Sequence, residues 1–144
     1  MSNEKFKLAA ANPLKRQYAF AVQGYSDWAG IIDGLTRKIT ELAIVEHGVI
    51  ESIQWSLNGQ WLAVSTTPAS GLRDVVVTDV STGSSRSVSI QFRGNRYVNS
   101  STFEIYSPAW EQDGGLSFSF AEVNKPPVKS RYVYVPTSGL IRQK

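Results

Sequence analysis

The chain has 144 residues with no cysteine and one histidine, and 15 Lys+Arg against 12 Asp+Glu leave a net charge of +3. This length favours a single domain with its own core, and 42% hydrophobic with 19% charged residues is a globular rather than a disordered composition. Lack of cysteine excludes disulfides, thiolate metal sites and a Cys nucleophile; the lone His47 does not support a His-ligated metal centre or a Ser-His-Asp triad; and the small positive excess permits an acidic partner without demanding one. No apolar run reaches the roughly eighteen residues of a membrane-spanning helix. Residues 1–7 contain no apolar secretory core, so a cytoplasmic location is expected.

At the start of the chain, Phe6, Leu8 and Ala10 alternate as a strand, Asn12-Pro13-Leu14-Lys15 occupies a turn, and 17–22 forms a second strand. The stretch that follows reads in two ways. As strand, turn and strand, 31–42 parallels 76–83 farther along. As a helix over about 27–46, Trp28, Ile31, Ile32, Leu35, Ile39 and Leu42 share one helical face, with Ser26 or Asp27 as the cap and Gly48 as the stop. Against the helix, Gly30 and Gly34 each cost about 1 kcal/mol relative to alanine. Ile31, Ile32, Thr36, Ile39, Thr40 and Ile44 are also β-branched, which favours strand. The strand reading is preferred, and α+β remains the alternative.

The next unit is clearer. Residues 52–57 read as a strand carrying Trp55, Asn58-Gly59 is a hairpin turn with both central residues expected at positive φ, and 61–64 is the returning strand. Asp74-Val75-Val76-Val77-Thr78-Asp79-Val80 has the β-branched character of a third strand. Ser81-Thr82-Gly83 turns the chain, and 86–90 alternates as a fourth. A third unit repeats this order. Trp110 stands four residues before Gly114, as Trp55 does before Gly59. Asp113-Gly114 marks the first turn, 131–135 the third strand, Thr137-Ser138-Gly139 the next turn, and Leu140-Ile141 a short fourth strand. Ala19 to Ala63 spans 44 positions and Ala63 to Ser117 spans 54, so the third unit carries an insertion near 93–104. Four hairpin-linked strands over about 45 residues describe one propeller blade.

The runs Ile53-Gln54-Trp55-Ser56-x-Asn58-Gly59-x-x-Leu62-Ala63-Val64 and Ser107-Pro108-Ala109-Trp110-x-x-Asp113-Gly114 resemble the TolB-like β-propeller repeat, as does the Thr-Gly turn that follows each. The first unit lacks the Asp-Gly and the Trp and resembles the repeat only in spacing and strand pattern. The resemblance implies an all-β chain: one domain over 1–144 made of three four-stranded antiparallel blades, at about 5–45, 50–90 and 105–142. It implies no single activity, because the family is a scaffold.

Closed propellers have about four to eight blades, and TolB-like propellers commonly have six. Three blades leave an exposed apolar face at each end, and such faces attract partners. Two arcs about a two-fold axis close a six-bladed ring, so a homodimer or another ring-closing oligomer is expected. Asp33 and Asp79 fall at matching blade positions, which points to a repeated turn bond rather than to catalysis. No phosphate loop or calcium loop occurs, and neither catalytic residues nor a cofactor nor a metal is predicted. In a four-stranded meander the long segments 23–30, 66–73, 91–105 and 121–130 share one end, and long loops on a rigid scaffold concentrate binding residues. That end carries Tyr25, Asp27, Trp28, Arg73, Arg93, Arg96, Tyr97, Lys125 and Lys129. We read these as the contact surface for a protein or peptide partner. The basic–aromatic mixture belongs to no recognised nucleic-acid module. A propeller binding a small ligand or substrate in its central channel, and an immunity-type inhibitor of another protein, are the alternatives.

Overall fold

Three four-stranded antiparallel sheets follow one another along the chain in the computed structural model, which describes residues 5–42, 48–93, 95–98 and 102–144. Blade 1 contains β1 (Lys5–Ala11), β2 (Gln17–Gln23), β3 (Trp28–Asp33) and β4 (Ile39–Glu41). Blade 2 contains β5 (Val49–Trp55), β6 (Trp61–Thr67), β7 (Asp74–Asp79) and β8 (Ser85–Ser87). After a one-turn helix α1 (Val88–Phe92), blade 3 contains β9 (Phe103–Trp110), β10 (Leu116–Glu122), β11 (Tyr132–Val135) and β12 (Leu140–Gln143). Each sheet is a simple meander in chain order. The protein is therefore an all-β half-propeller. No helix among the described residues is long and apolar enough to cross a membrane.

The lateral register recurs. Ala10 lies opposite Ala19, and Ala19 opposite Ile31; Gln54, Ala63 and Val77 align in the same way, as do Ala109, Ser117 and Val133. Directly opposed residues share a sheet face, and successive residues alternate between faces. Each blade consequently has a front of small side chains and a back of bulky ones. Ala19, Ala21, Ala29 and Ile31 of blade 1 pack with Ile50, Trp55, Leu62 and Val64 on the back of blade 2. Ala63, Val75 and Val77 on the front of blade 2 pack with the rings and aliphatic chains of Ile105, Leu116, Phe118, Phe120, Tyr132 and Tyr134 on the back of blade 3. Small side chains against large ones fill the core of each junction.

The helical reading of 27–46 is overturned for the described residues: β3 and β4 occupy 28–33 and 39–41. The reason is tertiary. Ala29 and Ile31 face blade 2 while Trp28 and Ile32 face the opposite side, so both sheet faces take apolar residues and the pattern imitates helical spacing. Residues 43–47, including His47, lie outside the described residues. The matching turns are as expected. Asp33 accepts the Leu35 and Thr36 amides at 2.8 and 3.0 Å, and Asp79 accepts the Ser81 amide at 3.0 Å.

Two sequence expectations need correction. The fourth strand of blade 2 stops at Ser87, and 88–92 coil into α1 instead of continuing to Ile90. Ser87 caps this turn through its side-chain oxygen, and the Asp74 carboxylate accepts the Ser89 amide at 3.0 Å. The coil brings Val88 and Phe92 onto one side, where both are fully buried. Phe92 sits among Phe103, Phe118, Phe120 and Tyr132, with ring centroids 4.9–5.8 Å away. The Asn58-Gly59 and Asp113-Gly114 turns place only the glycine at positive φ, 70° and 92°. Their i to i+3 bonds run from Gly59 to Ser56 and from Gly114 to Glu111. These are longer loops ending in a left-handed glycine, not two-residue turns.

Candidate functional site

The back of blade 1 has no blade packed on it. Its surface is built by alternation: Tyr18, Phe20 and Val22 on β2, Trp28 and Ile32 on β3, Phe6 on β1 and Ile39 on β4 all point the same way. They line an open groove of about 440 Å³ with almost no polar wall. Phe6 is 82% exposed, Ile39 55% and Tyr18 45%. Phe20 is shielded by its neighbours, edge-on to Phe6 at 5.8 Å and to Trp28 at 5.4 Å. Gly30 makes this arrangement possible, because a Cβ there would lie 2.8 Å from the Phe20 ring.

The opposite end of the arc is different. The front of blade 3 presents Ala109, Ser117, Ser119 and Val133, with Arg131 laid across it. The Arg131 guanidinium donates to Ser119 Oγ at 2.9 Å, to Ser117 Oγ at 3.0 Å and to the Ser107 carbonyl at 2.7 Å. Arg142 pairs with Asp113 at 3.0 Å beside it. One end is therefore apolar and the other polar.

The nine residues assigned to the long-loop end divide into groups. Asp27 is buried. It accepts from Lys7 Nζ at 2.8 Å and from the Ile50 amide at 2.9 Å, and so holds the β2–β3 loop to the first strand of blade 2. Burial alone would raise the Asp27 pKa, but the Lys7 and Ile50 hydrogen bonds outweigh it and hold the carboxyl below its ordinary range. Arg73 plays the corresponding part at the next junction. Its carbonyl accepts the Ile105 amide at 2.9 Å, its Nε lies 2.6 Å from Glu104, and its guanidinium stacks 4.2 Å over Tyr106. The Arg73 hydrogen bond holds the Glu104 carboxyl below the usual range. Tyr97 packs on Tyr132 at 4.9 Å. Arg96 bonds the Tyr97 hydroxyl at 3.0 Å, and Lys125 pairs with Glu122 at 2.9 Å. Tyr25, Arg93 and Lys129 are exposed, Tyr25 almost completely. Trp28 is not a loop residue; it opens β3 and belongs to the apolar back of blade 1.

No protein-family model matches the chain, and no curated protein matches it. Among the described residues no three His, Cys, Asp or Glu side chains gather where they could hold a metal ion. A polar cleft of about 300 Å³ lies along the inner strands β5 and β9. Gln54 donates to the Pro108 carbonyl at 3.0 Å and Arg73 is held by Glu104, both across the junction, while Glu51 accepts from Thr67 within blade 2. Thr66 Oγ1, which also lines the cleft, is buried without a partner among the described residues, and the cleft is the junction of two blades. The sequence predicted an apolar face exposed at each end of the arc; the structure leaves one on blade 1, while the blade 3 end is polar because Arg131 lies across its small front. The signal for the blade 1 face was present in β2 and β3, where both parities are apolar, as in a strand buried on both faces.

Proposed function

We propose that this chain is a non-catalytic protein-interaction module, a propeller-type scaffold that docks a partner protein through the long-loop corner of its first blade. The observation that carries the reading is the uncovered back of blade 1. The equivalent backs of blades 2 and 3 are both buried under a neighbouring blade, and here the same kind of surface stands open. Exposed apolar patches of this kind mark docking sites, and large aromatic side chains dominate such contacts. Phe6, Val22 and Trp28 lie at the long-loop end of this face, next to the exposed Tyr25. The resemblance of the repeats to the TolB-like family fits a scaffold, since such a fold carries its function in grafted surfaces.

The test is affinity capture from the native host with three baits: the natural chain, Phe6→Asp/Ile39→Asp, and Arg93→Glu/Arg96→Glu. Phe6, Ile39, Arg93 and Arg96 are exposed, so these substitutions leave the core intact. A protein retained by the natural chain and the Arg93/Arg96 bait, and lost from the Phe6/Ile39 bait, is the expected result. Equal retention by all three baits would remove blade 1 from the interface.

A further inference from the structure

The two internal junctions share a set of devices, and these describe what the open back of blade 1 is built to receive. Each back receives a front of small residues. Each junction is clamped by a tryptophan: Trp55 Nε1 donates to the Ala10 carbonyl at 2.8 Å and Trp110 Nε1 to the Gln54 carbonyl at 3.0 Å. At each, the residue four positions before the aligned third-strand residue, Asp27 or Arg73, accepts the amide of Ile50 or Ile105 in the next blade.

The same register extends these positions to the two free ends. Phe6 stands where Ile50 and Ile105 stand, and Lys5 where Glu104 stands. At the other end Lys129 occupies the place of Asp27 and Arg73, and Arg131 that of Ala29 and Val75. If a second copy brought its blade 3 onto this blade 1, the Arg73–Glu104 ion pair would become Lys129 against Lys5. A bonded guanidinium would replace the small residue. The tryptophan position is Ala11, and the Ala109 carbonyl already accepts from Ser117 Oγ at 3.1 Å. The backbone acceptor at 129 and the small Ala109, Ser117 and Val133 remain, but the tryptophan clamp and the ion pair are lost, and the charges repel.

We infer that the occupant of blade 1 is a different protein, one that offers a β-sheet face of small apolar side chains with an acidic residue placed to meet Lys5. This rests on the docking role proposed above and names the chemistry of the partner. Blade 1 receives such a face as blade 2 receives the alanines of blade 1. The acidic group takes the place of Arg73, with Lys5 in the place of Glu104, so the ion pair is kept with its signs exchanged.

The chain itself supplies a probe, because its own blade 3 front is two substitutions from the required chemistry. Lys129→Glu/Arg131→Val provides the acidic residue and the small side chain, and Lys129→Glu alone keeps the Arg131 bonds in case the double variant folds poorly. Sedimentation equilibrium over the micromolar range is the readout, with circular dichroism to confirm folding. The natural chain is expected at its 15.9 kDa. The double variant is expected at about twice that mass or more, because a head-to-tail contact either closes a ring or extends a filament. Adding Phe6→Asp should return it to the monomer mass. A natural chain that dimerises, and stops doing so with Phe6→Asp, would show that a second copy is the occupant and overturn the inference. Folded variants that stay at the monomer mass would overturn it as well. No native partner enters this measurement, so failed capture from the host would remove the docking role and leave this result intact.

Discussion

The indole N–H of Trp110 donates to the backbone carbonyl of Gln54 at 3.0 Å, one blade on from the bond that Trp55 makes to Ala10. A residue on the inner strand of one blade thus closes onto the inner strand of the blade before it. The bond accounts for the four-residue spacing of tryptophan before glycine in both units. The strand must end on the tryptophan for the indole to reach back, and the turn must follow at once.

Trp55→Phe keeps much of the ring and removes the donor. The Ala10 carbonyl then loses its buried partner, at a cost of about 1 kcal/mol. Trp55→Ala also leaves a cavity and should cost about 3–5 kcal/mol. Trp110 is more exposed than Trp55, so both substitutions there should cost less. Urea unfolding of the four variants checks the order; equal effects at 55 and 110 would contradict it.

Asp27 ties the β2–β3 loop to blade 2, and its folded pKa is lowered. A carboxyl depressed on folding stabilises the protein above its unfolded pKa, and that stability is lost as pH falls through the folded value. The natural chain should lose stability below about pH 4. Asp27→Asn should flatten part of that loss while retaining an acceptor for the Ile50 amide. Asp27→Ala should cost about 1–3 kcal/mol at neutral pH by stranding that amide. Thermal midpoints from pH 3 to 7 measure this. An acid slope unchanged in Asp27→Asn would assign the effect to other carboxyls such as Glu104.

Phe92→Ala removes the ring that fills the junction between blades 2 and 3. With four aromatic rings around it and no exposure, the loss should be about 3–5 kcal/mol. Phe92→Leu should recover more than half of it. If α1 were only a surface appendage, both variants would unfold at the same urea concentration as the natural chain.

The blades were legible because their punctuation is local. Gly59, Gly83, Gly114 and Gly139 each adopt positive φ at a hairpin, and the intervals from Ala19 to Ala63 to Ser117 locate equivalent register positions. The helix α1 was not legible. Val88-Ser89-Ile90 has strand alternation, and only the Asp74 carboxylate, thirteen to fifteen residues upstream, captures the Ser87 hydroxyl and the Ser89 amide and turns the chain. Asp27 and Arg73 were read as loop residues open to a partner, because their bonds run to the next blade and no local pattern announces them. Trp28 was placed in a loop for the same reason: its strand is defined by pairing with Val22. An open apolar end was expected from three blades alone, but the residues that form it on blade 1, and its absence from blade 3, emerged only when the sheet register separated front from back.

Gly59 joins two blades as well as turning one. It holds φ at 70°, its carbonyl accepts from Asn12 Nδ2 at 3.0 Å, and a Cβ there would collide with the Asn12 amide. Gly59→Ala should cost about 1–2 kcal/mol for the left-handed backbone and more for displacing Asn12. Gly83→Ala has the same sign of φ and open space around it, so it should cost only the backbone part. Chemical denaturation of the pair separates the two contributions; equal losses would mean that Asn12 moves aside freely.

The central claim is that the back of blade 1 is where another protein sits. A photo-crosslinking phenylalanine analogue at Phe6, introduced in the native host, reads this directly, since Phe6 is 82% exposed at the rim of the face. The same analogue at Arg96, on the long-loop end of blade 3, is the control. A discrete adduct with a different protein from position 6, and none from position 96, is the expected result. Adducts from position 96 with none from position 6 would contradict it.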